Sequence, residues 1–165
     1  MTELAYLHAY LAWEVFLEET FVLYMIGKKV PRRAAPQRYA LPPSRQHAKD
    51  WVAEGRDHAK WDPSAVASRA QRFFRGGEPY LAVLRGNKNV LDQAKTIRNA
   101  IAHESDSARE KFNKVARDSL AGTLPPRLTP GRFLDLTVPA SAPPQSFLDF
   151  YLEKIEFVAS QIVPI

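Results

Sequence analysis

From Leu4 to Ile26 the chain is apolar except at His8, Glu14, Glu18, Glu19 and Thr20, with no Gly or Pro to interrupt it. Apolar positions on most faces of a helix cannot all point into one core, so burial on more than one side is expected. The helix then lies at the centre of a bundle, or serves a core and a subunit interface together. Gly27 closes it as a C-cap should. The stretch is long enough for a bilayer, but the three Glu inside it disfavour insertion.

The pattern then breaks. Lys28 to Pro43 holds four Pro and reads as a connector without regular structure. Ser44 to Gly55 predicts a short helix capped by Ser44. Asp62-Pro63-Ser64 supplies an N-cap and a first-turn Pro for a helix to about Arg75, which Gly76-Gly77 breaks. Pro79 to Arg85 gives another short helical piece ending at Gly86. From Asn87, Val90, Leu91, Ala94, Ile97, Ile101 and Ala102 recur at three- and four-residue spacing, so one helical face packs inward. A new helix start is expected near Ser105 to Ser107, where Ser107-Ala-Arg-Glu110 has capping-box form, and the helix after it ends at Gly122. Thr123 to Gln145 contains six Pro, with Arg132 to Val138 as one predicted strand. Ser146 to Val163 closes the chain as an amphipathic helix. Four main helices with short pieces between them predict an all-α helical bundle with irregular insertions.

Composition narrows the class. Nine Phe, six Tyr and three Trp in 165 residues are too many for a solvated tail, and the length suits one domain. Zero Cys removes disulfides, thiolate metal sites and a Cys nucleophile together. The start, Met-Thr-Glu running into apolar residues, lacks the basic start and cleavage site of a signal peptide, so a cytoplasmic protein is expected.

Charge is segregated rather than large. The net charge is +5, yet Lys28, Lys29, Arg32, Arg33, Arg38, Arg45 and Lys49 follow one another without a single acid. The first 27 residues carry four Glu and no Lys or Arg. A basic segment of this kind suits an anionic partner, nucleic acid before membrane, and it is equally compatible with a solvated loop.

Most chemical constellations are missing. There is no Gly-rich phosphate loop and no Gly-x-Ser-x-Gly elbow. His8, His47, His58 and His103 are scattered, so no metal site is expected. Glu14 and Glu18 lie four apart on one helical face, which is also the pattern of a solvated or interface stripe. The exception is Ile97-Arg98-Asn99-Ala100-Ile101-Ala102-His103-Glu104, at the end of a predicted helix. On an ideal helix His103 falls ~40° from Asn99 and ~140° from Arg98. Only the long Arg98 side chain, or unwinding after Ala102, brings all three together.

This string resembles the Arg-(Asn/Asp/His)-x-x-x-His signature of HEPN domains, the higher eukaryotes and prokaryotes nucleotide-binding family. With Asn fixed after Arg and one spacing to His, chance supplies on the order of 0.01 matches in a chain of this composition. Leu11-Ala-Trp-Glu-Val-Phe-Leu-Glu-Glu-Thr-Phe-Val-Leu-Tyr24 is similar to the opening helix of small stand-alone prokaryotic HEPN proteins. The resemblance covers 2–27, 87–122 and the final helix, and it implies a single HEPN-like helical domain over 1–165.

The resemblance further implies a metal-independent endoribonuclease of toxin or phage-defence type, needing no cofactor. His is the natural proton-transfer residue near neutral pH, and Arg holds two phosphate oxygens while staying charged. Family resemblance gives these roles to His103 and Arg98, with Asn99 orienting the imidazole or binding phosphate. Two such motifs meet across a homodimer cleft in the family. Glu14 and Glu18 would line that cleft as supporting residues and set the Arg98 side chain. Lys28, Lys29, Arg32, Arg33, Arg38 and Arg45 would track the RNA backbone, with Tyr39 or Trp51 stacking on a base. Simple packing onto the bundle is the competing role for Trp51 and Trp61. Ser105 stands where toxins inactivated by nucleotidyl transfer carry Tyr, which points to a protein antitoxin or defence partner, or to none.

Two other readings remain open from sequence. One is a non-catalytic HEPN scaffold that binds RNA, nucleotide or a protein partner. The other is a helical partner-binding protein using its basic arm, for which Arg98, Asn99 and His103 are a helix C-terminus interacting with the dipole.

Overall fold

A computed structural model describes residues 1–30, 32–55, 59–122 and 124–164. Among these the secondary structure is helical, in eight α-helices and one 3-10 turn, with β-pairing confined to isolated bridges. The protein is an all-α helical bundle. No helix among the described residues is long and apolar enough to cross a membrane.

Helix α1 spans Thr2–Met25 and ends as its sequence requires. Gly27 has φ 80°, its N–H donates to the Tyr24 carbonyl at 3.0 Å, and the Lys28 N–H donates to Leu23 at 3.0 Å. That pair of bonds satisfies carbonyls the helix leaves open, and the left-handed position suits Gly. A Cβ there would also meet the Arg38 guanidinium at 2.7 Å. α2 (Arg45–Ala53) starts on Ser44, whose hydroxyl accepts from the His47 N–H. α3 (Pro63–Phe73) starts on the Asp62 carboxylate with Pro63 in its first turn. The 3-10 turn Arg75–Gly77 and α4 (Tyr80–Gly86) follow. At Gly77, φ is 72° and a Cβ would strike Leu81 Cβ at 2.6 Å, so this position admits only Gly.

α5 covers Lys88–Ala102, α6 Asp106–Ser119 and α8 Phe147–Ile162. α6 starts within the expected 105–107 stretch, its cap being Ser105 and not the Ser107 of the capping-box string: the Ser105 hydroxyl accepts the Ala108 N–H at 3.2 Å, because α5 stops at Ala102 and leaves only a three-residue corner. One expectation is corrected here. The segment expected to be a strand from Arg132 to Val138 instead contains α7, Pro130–Asp135. Thr129 caps it through Oγ1 to the Arg132 N–H, and Pro130 fixes its first turn, so local capping overrides the apolar alternation. Strand pairing shrinks to one bridge between Thr137 and Ser146.

The chain forms two compact units, 1–11 with 89–155, and 12–88 with 156–165. In the first, Tyr6, Tyr10, Leu91, Ile97, Phe112 and Tyr151 are buried. Phe133 stacks on Phe147 at 4.3 Å between ring centres and meets Phe112 edge-on at 5.7 Å. The Tyr6 hydroxyl donates to the Ala94 carbonyl at 3.0 Å, so the polar end of a buried ring is satisfied.

The second unit is organised around Phe21, which lies against Trp61, Phe73, Phe74 and Tyr80 at centroid distances of 5.8, 6.1, 4.9 and 5.2 Å. Trp61 is half-buried and packs on the edge of this cluster, with the Arg69 guanidinium 4.7 Å from its ring centre. The Tyr80 hydroxyl donates to Thr20 and the Tyr24 hydroxyl to the Ile162 carbonyl, each at 3.0 Å. The described residues of the Pro-rich connector are irregular as expected, apart from bridges at Val30–Arg33 and Arg38–Phe74. Tyr39 N–H to Phe73 and Arg75 N–H to Gln37, both 2.9 Å, hold its later part beside the end of α3.

Candidate functional site

Arg98, Asn99 and His103 lie together at the C-terminal end of α5, within the first unit. The helix ends at Ala102, yet the His103 N–H still donates to the Asn99 carbonyl at 2.9 Å. The backbone thus keeps helical register up to His103 before it turns, which puts His103 one turn beyond Asn99. The Arg98 side chain bends toward its neighbour: Nη1 donates to Asn99 Oδ1 at 3.2 Å. Asn99 lies between Arg98 and His103 in helical projection. Bending toward Asn99 carries the guanidinium toward the side of the helix from which His103 continues.

A residue missed in the sequence completes this arrangement. The Tyr10 ring, buried in α1, has its centre 5.9 Å from Arg98 Cζ, within cation–π range. Tyr6 and Tyr10 stand one turn apart on the same helix, a spacing that could have marked a tyrosine face toward α5. Arg98 and Asn99 are half-buried, whereas His103 is exposed.

His103 forms part of the wall of an open cleft of 590 Å³. The corner between α5 and α6 supplies His103, Glu104 and Ser105, and α6 adds Asp106, Arg109 and Phe112. Arg127, Leu128 and Thr129, with Pro130, close the other side. Arg98 and Asn99 are not among its described lining residues. Arg109, Arg127 and Leu128 also line a neighbouring cleft of 280 Å³ with Asn113, Leu124 and Pro125. No motif marks Arg127, which sits in the Pro-rich insertion.

The remaining candidates belong to the second unit. Glu18 accepts from Lys49 Nζ at 2.8 Å, and Glu19 pairs with Arg45. Glu14 is half-buried on the same helix. Arg33 donates to the Gln161 and Ile162 carbonyls at 2.9 and 3.1 Å, an interaction with the open C-terminus of α8. Arg38 donates to the Met25 carbonyl at 2.9 Å at the end of α1. Arg33, Arg38 and Arg45 therefore hold helices and acids of their own unit, while Lys28, Lys29 and Arg32 are exposed. Tyr39 and Trp51 are exposed as well, at 64% and 41%. His47 bonds the Ser44 hydroxyl at 2.8 Å, and His58 lies outside the described residues.

Among the described residues no three His, Cys, Asp or Glu side chains cluster in a way that could hold a metal ion. No family model, no curated protein and no solved structure matches the chain.

Proposed function

We propose that this protein is a metal-independent endoribonuclease of the HEPN type, acting as a toxin or phage-defence effector on RNA. The observation that carries the reading is the Arg98-Asn99-x-x-x-His103 string at the end of a bundle helix, with the guanidinium bent toward Asn99 and His103 facing open space. In this mechanism His103 takes the proton from a ribose 2′-hydroxyl, and the freed oxygen attacks the adjacent phosphorus. Arg98 stabilises the charge on the phosphorane through paired N–H donors. The P–O5′ bond breaks, and a second imidazole, from the other copy in a homodimer, protonates the leaving oxygen. The products are a 2′,3′-cyclic phosphate and a 5′-hydroxyl, and DNA resists because it has no 2′-hydroxyl.

Support for a dimer comes from α1. Leu4, Leu11 and Val15 are 59%, 51% and 54% exposed and, at spacings of seven and four, fall on one helical face. An exposed apolar stripe beside a buried one is what a helix serving both a core and a subunit contact should present.

The test is cleavage of labelled single-stranded RNA in excess EDTA by the wild type, His103→Ala and Arg98→Ala. Cleavage by the wild type alone, leaving cyclic phosphate ends, supports the reading. Binding without cleavage by all three transfers the support to a non-catalytic scaffold.

A further inference from the structure

We infer that Arg109 and Arg127 form the binding track for the phosphates of a single-stranded RNA, leading it along the two adjoining clefts away from His103. The inference rests on the ribonuclease reading for its end point at His103, but its own evidence is the shape and charge of these clefts.

The two arginines are the charged residues shared by both clefts, so a strand lying in one and continuing into the other passes between them. Their guanidiniums are available. Arg109 makes one 4.0 Å pairing with Asp106, and both side chains are largely exposed, a geometry that adds little. No ion pair or side-chain hydrogen bond of Arg127 is found among the described residues. Arg127 also holds φ 54°, a left-handed conformation in which Gly or Asn would sit with less strain. A long cationic side chain kept at such a position, on the wall of a cleft, is the pattern of strain retained at a binding site.

The rest of the lining suits nucleotides. Leu128 and Pro130, both half-buried, give the larger cleft an apolar side, and Leu124 and Pro125 do the same for the smaller. The larger cleft's 590 Å³ is within the usual range for small-ligand sites. Base faces can pack on such aliphatic surface while arginine forks hold the phosphates beside them. The basic connector is the weaker competitor, since Arg33, Arg38 and Arg45 already bind carbonyls or an acid within their own unit.

The test uses full-length His103→Ala protein and a short fluorescein-labelled single-stranded RNA, with affinity read by anisotropy at several salt concentrations. Adding Arg109→Ala and Arg127→Ala should weaken binding about tenfold or more and flatten the salt slope by roughly 1.4, the value for two lost contacts. Lys28→Ala with Lys29→Ala should change it less. Arg127→Gly serves as the folding control: it removes the guanidinium and relieves the left-handed strain, so affinity should drop while the melting temperature holds or rises. Unchanged affinity in the arginine variants, a loss no greater than in the lysine variants, or no RNA binding by the parent overturns the inference. Cleavage is measured in parallel with His103 intact, in the wild type and in the wild type carrying Arg109→Ala and Arg127→Ala. Arginine-dependent binding without cleavage refutes the ribonuclease reading alone, whereas cleavage with an unchanged KM in the arginine variants refutes the track alone.

Discussion

The Arg98 guanidinium lies 5.9 Å from the centre of the buried Tyr10 ring, so a side chain of α1 helps to set the direction of the arginine at the end of α5. A contact of this kind is worth about 0.5–1 kcal/mol. If Arg98 must face phosphate, that energy appears in the rate. Tyr10→Leu should lower kcat for RNA cleavage about two- to fivefold with little change in KM, and Tyr10→Phe, which keeps the ring, should restore it. Loss in both variants would assign Tyr10 a packing role only.

His103 is exposed, so its replacement leaves no cavity and no buried polar group without a partner. His103→Ala should therefore keep its unfolding free energy within about 0.5 kcal/mol of wild type. Cleavage should fall by about 10²–10⁴, the usual contribution of a general base. Urea titration beside the EDTA-resistant assay checks both halves.

Phe21 gives the opposite expectation. It sits among Trp61, Phe73, Phe74 and Tyr80 with no exposed surface. Phe21→Ala should destabilise by about 3–5 kcal/mol, since both transfer energy and a cavity enter. Phe157→Ala, at a residue 52% exposed, should cost far less. Chemical denaturation of the two variants side by side decides the point.

The exposed face of α1 predicts an assembly. Wild-type protein should sediment at twice 18.7 kDa, and Leu11→Glu with Val15→Glu should return it to the mass of one chain. Sedimentation equilibrium makes the measurement. A wild-type mass of one chain would remove the dimer from the proposed mechanism.

Alkaline stability follows from the buried tyrosines. Burial raises the Tyr151 phenol to about 12, opposed in part by a hydrogen bond with Ser119, and burial also pushes Tyr6 and Tyr80 well above their ordinary value. In the unfolded chain these phenols ionise near 10. The folded form keeps its protons longer, so stability is complete below about pH 10 and declines as pH rises toward 12. The share from Tyr151 is about 2 kcal/mol by pH 12. Urea midpoints between pH 8 and pH 11 should fall, and fall less steeply in Tyr151→Phe.

Much of this was legible in the chain because local signals agreed with the global packing. Ser44, Asp62 with Pro63, and Gly27 mark helix ends that the structure reproduces, since caps act within four residues and need no tertiary context. The Arg132 to Val138 segment misled because alternation over a few residues does not say whether a partner strand exists, and Thr129-Pro130 supplied a helix start instead. Around His103, the sequence indicated the motif on one helix but neither Tyr10 nor Arg127. Tyr10 is 88 residues away from Arg98, and Arg127 reaches its cleft through an irregular loop; contacts of that kind are set by the assembled bundle.

The corner at Ser105 ties two motions into one. Its N–H donates to the His103 carbonyl at 2.9 Å, while its hydroxyl holds the Ala108 N–H and its carbonyl the Arg109 N–H. Fraying of the first turn of α6 therefore loosens one of two backbone bonds at His103, the other being its N–H on the Asn99 carbonyl. The backbone beneath the imidazole is thus coupled to the opening of a neighbouring helix end, a local event whose free energy amide hydrogen exchange can read.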